Sequence, residues 1–95
     1  GVSTVGLSCD LGGRVMVSIM MLNKRFELLE LVMKELDRAY AKHGAKPWSR
    51  HEFYAILKEE VDELWDAIKA DEPMERVVSE LVQVAAMCAR YYETT

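Results

Sequence analysis

The sequence predicts an all-α fold: a bundle of about three helices per chain, completed by homo-oligomerisation. Three observations lead there. The 95 residues include only five Gly and two Pro, too few turn formers for an all-β chain. Hydrophobic residues make up 51%, mostly Leu, Val, Met and Ala, and aromatics only 8%. Over most of the chain the apolar positions recur at three- and four-residue spacing, the period of an amphipathic helix. The length allows one domain. A chain this short buries a small share of its surface, so further copies are expected to complete its core.

Residues 1–20 stand apart. The stretch before Ser18 holds four of the five Gly and has no helical period. Met20-Met21 reads as a translation start, so this segment is expected to be a leader or an arm, with Val15-Met16-Val17 able to form a short strand. Val15 to Leu22 follows Arg14 as a signal-peptide core would, but no small-x-small cleavage pattern follows, and the chain runs directly into Asn23-Lys24-Arg25. No apolar run is long enough to span a bilayer. The two cysteines, Cys9 and Cys88, are too few for a disulfide framework and are expected to be free thiols of a cytoplasmic chain.

The helical domain is expected over residues 21–95. The first helix runs from about Leu22 to His43, with Phe26, Leu29, Met33, Leu36 and Tyr40 forming one face. Gly44 supplies its stop and Pro47 prevents continuation. Ser49 and Glu52 form a capping-box pattern for the second helix, and Trp48 and Phe53 occupy the positions of a hydrophobic staple. That helix reaches about Lys69. The turn Ala70-Asp71-Glu72 and Pro73 lead into the third helix, which runs to about Tyr92. Its apolar residues, Cys88 among them, wrap more than one stripe, so burial on several sides is expected.

The formal net charge is −4, which disfavours nucleic acid as a partner because phosphate neutralisation needs clustered Lys and Arg. The acid is concentrated: ten Asp or Glu lie between Glu52 and Glu80, against Lys58, Lys69 and Arg76. Within Lys58-Glu59-Glu60-Val61-Asp62-Glu63-Leu64, helical spacing sets Glu60 beside Glu63 and Glu59 beside Glu63. The apolar residues Phe53, Ile56, Leu57, Leu64 and Ile68 bring Glu60 to the core-facing edge. A carboxylate there either pays for lost hydration or protonates, and neighbouring acids repel it as well. The third helix adds Glu80 in apolar surroundings, with Gln83 one turn on. Sixteen residues separate Glu63 from Glu80, the spacing of an antiparallel hairpin that sets the two acidic elements face to face. An all-oxygen set of this kind suits Mg2+, with Mn2+ as an alternative, rather than zinc. A solvated acidic face is the competing explanation.

These residues carry a resemblance. KEEVDELWDAIK followed by SELVQVAAMCARYYE is similar to the MazG-like all-α nucleoside triphosphate pyrophosphohydrolases, whose signature is E-x-x-E, a gap, then E-x-x-D. Here the halves are Glu60-x-x-Glu63, preceded by Glu59, and Glu80-x-x-Gln83. Lys42 to Trp48, KHGAKPW, resembles the family's K-W-G…P-W segment. The likeness covers roughly Leu22 to Glu93. It implies metal ligation by Glu60, Glu63, Glu80 and Gln83, catalytic roles for Glu59, Glu60 and Glu63, and hydrolysis of a nucleoside triphosphate to monophosphate and pyrophosphate by a homodimer or homotetramer. Gln83 departs from the signature by replacing the last acid; it keeps a carbonyl ligand but brings no charge. The alternatives are a related pyrophosphohydrolase acting on phosphoribosyl-ATP, and a non-catalytic helical module that binds nucleotide or protein.

Three further residues are candidates for substrate binding. Lys42, with Lys46 and Arg50 beside it in the loop, is placed to reach phosphates or simply to be solvated, and Trp48 to stack on a base or to staple the second helix. Trp65 is placed to line a base pocket or a subunit contact. His43 and His51 have no partner at metal spacing and are expected at the surface, as are Asp62 and Asp66.

Overall fold

The computed structural model describes residues 18–95 in full and the backbone of residues 7–9 and 15–17. The other residues of the expected leader, and the Cys9 side chain, lie outside the described residues. The chain divides into two compact units, Gly1–Glu30 and Leu31–Thr95. In the first, β1 (Leu7–Cys9) and β2 (Val15–Val17) pair antiparallel, with Ser8 opposite Met16. Val15-Met16-Val17 is thus a strand of a two-stranded ribbon, and three helices make up the rest of the fold.

Helix α1 spans Ile19–His43, starting three residues earlier than the apolar period indicates. The reason is a cap that the period does not reveal. The Ser18 hydroxyl accepts from the Met21 N–H at 3.2 Å, and the Ser18 carbonyl accepts from Leu22 at 2.9 Å. At its other end Gly44 takes φ of 73°, the left-handed stop expected there.

Helix α2 spans Arg50–Lys69 and opens on the capping box: Glu52 N–H donates to Ser49 Oγ at 3.1 Å, and Ser49 N–H donates to Glu52 Oε1 at 2.9 Å. The staple forms too, with Trp48 and Phe53 rings 6.3 Å apart. The helix ends in a Schellman arrangement. Glu72 N–H reaches the Ala67 carbonyl and Asp71 N–H the Ile68 carbonyl, with Asp71 at φ 55° in the place glycine more often takes.

Helix α3 spans Met74–Thr94 and returns antiparallel to α2. Phe53 meets Tyr91 at one end of this hairpin, and Glu63 meets Glu80 near the turn. Among the described residues, α3 supplies four of the six buried ones: Glu80, Val82, Ala86 and Arg90, joined by Leu36 of α1 and Ala67 of α2. Cys88 is a free thiol, but it is exposed rather than buried as expected. It stands two residues from both Ala86 and Arg90, and so projects from the other side of the helix. The predicted apolar face of α1 is buried at Leu36 and half-buried at Tyr40, but Phe26, Leu29 and Met33 remain exposed. No large side chain among the described residues is completely buried. No described helix is long and apolar enough to cross a membrane.

Candidate functional site

The hairpin brings Glu60, Glu63 and Glu80 together: one ligand oxygen from each lies within 4.8 Å of the others. Glu60 and Glu63 share a face of α2 because they are three residues apart. Glu80 faces them from α3 and is only 5% exposed. Arg76, one turn earlier on α3, donates to Glu80 Oε1. The other oxygen, Oε2, is buried and has no hydrogen-bond partner. A buried carboxylate oxygen left unpaired costs on the order of 1–3 kcal/mol, and more when charged, unless something positive meets it.

Glu60 carries a second sign of this electrostatic surplus. Burial pushes its carboxyl above the ordinary range, and the charges of Glu63, Glu80 and Glu35 push it further the same way. Glu35, half-buried on α1, goes the opposite way. A hydrogen bond from Arg38 draws its carboxyl down, with a smaller lowering from the Gln83 side chain. The Arg38 Nε sits 2.9 Å from Glu35 Oε1. Two neighbouring carboxylates thus have their proton affinities moved apart, one by desolvation and acid neighbours, one by a guanidinium.

Beside the acidic trio lies a pocket of about 390 Å3, lined among others by Arg38, Lys46, Trp48, Glu60, Gln83 and Arg90. It has one cationic side, one acidic side and an indole. Arg90 is 7% exposed, its guanidinium carbon 4.3 Å from the centre of the Trp48 ring and 5.8 Å from that of Tyr40. Its Nε is buried without a partner. Tyr40 donates to Glu93 Oε1 at 2.7 Å, which with burial raises the pKa of the phenol.

Of the residues singled out from the sequence, Glu60, Glu63 and Glu80 converge. Gln83 and Trp48 line the adjoining pocket. Glu59 is exposed and does not join the trio. Lys42 is exposed and does not line the pocket, whereas Lys46 and His43 do. Trp65 is 54% exposed on the outer side of α2, 5.6 Å from the Lys69 ammonium, and lines neither the pocket nor the trio's surroundings. Asp62 and Asp66 face solvent and pair with Lys58 and Lys69.

Three contributors were not singled out. Glu35 and Arg38 sit on a helix whose sequence reads simply as amphipathic, with an i,i+3 pair like many on helix surfaces. Arg90 did have a signal: it is the first cation after Arg76, in an otherwise apolar run. No family model, no curated protein and no solved structure matches this chain.

Proposed function

We propose that this chain is a Mg2+-dependent pyrophosphohydrolase that converts nucleoside or deoxynucleoside triphosphates to monophosphate and pyrophosphate. One observation carries the reading: three carboxylates converge within 4.8 Å, one of them buried with an unpartnered oxygen. Octahedral ligands at about 2.1 Å from Mg2+ lie no more than about 4.2 Å apart, so small side-chain rotations close these oxygens onto an ion. The donor set, all oxygen and anionic, fits Mg2+ or Mn2+. A bound dication supplies charge neutralisation for the triphosphate and activation of the attacking water.

The protein's own side chains take the remaining roles. Glu60, Glu63 and Glu80 would hold the ion; Gln83 lines the adjoining pocket with Glu35 and Glu60. Arg38 and Lys46 offer charge to phosphate oxygens, and Trp48 a face to a base. The water oxygen bonds to the phosphorus nearest the nucleoside as the bridging bond to pyrophosphate breaks, and the water's proton passes to a carboxylate or to solvent; Glu59, expected for that role, is exposed and stands outside the trio. In this reading the acidic site accepts an anionic substrate only together with metal, which gives an absolute requirement for a divalent ion, Mg2+ or Mn2+.

Self-association belongs to the same proposal. Tyr54, Val61, Trp65 and Ile68 recur along the outer side of α2 and are all exposed, so a second copy would bury them. Sedimentation should give a dimer or tetramer. The exposed free thiol of Cys88 fits a reducing, cytoplasmic setting.

The test is pyrophosphate release from a panel of NTPs and dNTPs with and without Mg2+. Release that needs Mg2+ and disappears in Glu60→Gln is the expected result. A second reading, nucleotide binding without hydrolysis, draws on Gln83: it stands where the resemblance implies an acid and brings no charge to the metal side. Binding without turnover on every nucleotide would favour it.

A further inference from the structure

Arg76 is bonded directly to a member of the acidic trio, and its position differs from that of an ordinary helix-surface arginine. It stands four residues before Glu80 and donates to Glu80 Oε1. The pair is lopsided: the Arg76 side chain is 54% exposed, the Glu80 side chain 7%. The guanidinium therefore approaches from water, and the carboxylate is fixed in the protein. Arg76 also lines a shallow pocket of about 350 Å3 with Glu63, Asp66, Glu72 and Glu80. It satisfies one oxygen of Glu80 and leaves the buried Oε2 without a hydrogen-bond partner. A monovalent, half-solvated cation thus covers part of a charge that a dication would cover more completely.

We infer that Arg76 is a tethered counter-cation that occupies Glu80 in the metal-free protein and gives way when a divalent ion binds, thereby setting the affinity of the site. This rests on the metal-binding reading proposed above. Two features make the exchange easy. Because the guanidinium is already more than half in water, releasing it costs little dehydration or order. The carboxylates of Asp66 and Glu72 line the same pocket and can receive it. The ion, in contrast, meets three carboxylates together, an attraction that a single arginine cannot match. Arg76 then has two opposed effects. It stabilises the empty site by neutralising a buried acid, and it weakens metal binding by competing for that acid. A purely structural arginine would have only the first.

The experiment is Mn2+ binding to the purified full chain, followed by electron paramagnetic resonance of the free ion, for wild type, Arg76→Gln and Arg76→Lys. Competition predicts that Arg76→Gln binds Mn2+ about ten-fold more tightly, equivalent to about 1.4 kcal/mol, while its metal-free form melts at a lower temperature. Arg76→Lys keeps the charge without the planar fork and should fall between the two; it serves as the test should Arg76→Gln not fold. Unchanged or weaker Mn2+ binding in both variants, with wild-type binding intact, would overturn the role of Arg76 and leave the metal site standing. If wild type and both variants all fail to bind Mn2+, the metal site itself falls, and this inference with it.

Discussion

At its open end the α2–α3 hairpin stacks Phe53 on Tyr91, rings 4.1 Å apart and nearly parallel, with Trp48 against Phe53 and the Arg90 guanidinium against Trp48. Near its turn the same two helices place Glu60, Glu63 and Glu80 within reach of one another, with one buried oxygen unpaired and one carboxyl pushed up by its neighbours. The aromatic end contributes to holding the helices together, and its charged member lies over aromatic faces that attract it. The acidic end works against folding as it stands. A hairpin that needed only to be stable would fill Glu80's place with an apolar residue, since replacing buried charge by well-packed hydrophobes is often neutral or stabilising. The contrast teaches that the two ends of one hairpin differ in electrostatic character, a difference the proposed metal site would account for.

The largest effect expected from breaking this contrast is at Glu80. Glu80→Gln should lower Mg2+-dependent pyrophosphate release by about a hundredfold or more, given that even residues supporting metal ligands cost 10–100-fold in metal affinity or activity. Phe53→Ala is the counterpart at the other end. It should cost about 2–3 kcal/mol in urea unfolding, less than a fully buried aromatic because Phe53 is half-buried. Its Mn2+ affinity should stay within about two-fold of wild type, as expected for distant sites that share no partners. If Phe53→Ala abolished metal binding, the two ends would not be separable in the way described.

How much of this was legible beforehand follows the same division. The hairpin, its capping box and its staple could be read because each rests on interactions within a few residues: Ser49 with Glu52, Trp48 with Phe53. Glu60, Glu63 and Glu80 were legible because helical period and hairpin spacing suffice to bring them together. Glu35 and Arg38 were not, since their part depends on where α1 lies beside α2 and α3, and no local pattern encodes that. Ser18 as the α1 cap was missed because the apolar period starts only after it. Cys88 was misplaced for another reason: in a helix with apolar residues all round, composition does not say which face is covered.

Two smaller effects sharpen the contrast. Ser49→Ala removes an N-cap acceptor and should cost about 1 kcal/mol, read from the unfolding midpoint, with no change in metal affinity. Glu60→Gln should act in the opposite sense on stability. Because the folded-state pKa of Glu60 is raised, its contribution is fully present below its unfolded pKa and is lost as pH rises through the folded one. At pH 7 without metal, Glu60 therefore opposes folding. Removing its charge should raise the melting temperature measured at pH 7 without metal. Below pH about 4, where the acid is largely protonated in both states, the gain should vanish. Pyrophosphate release should be lost at the same time, so that stability rises as activity falls.

The claim that Glu80 and its two neighbours exist to hold a divalent cation is tested most directly by titrating Mn2+ into the metal-free protein in a calorimeter, beside Glu80→Gln. The account predicts saturable binding by the wild type at neutral pH that disappears in the variant while its helical circular dichroism persists. Wild-type protein that takes up no ion, or a Glu80→Gln chain that takes it up equally well, would contradict it.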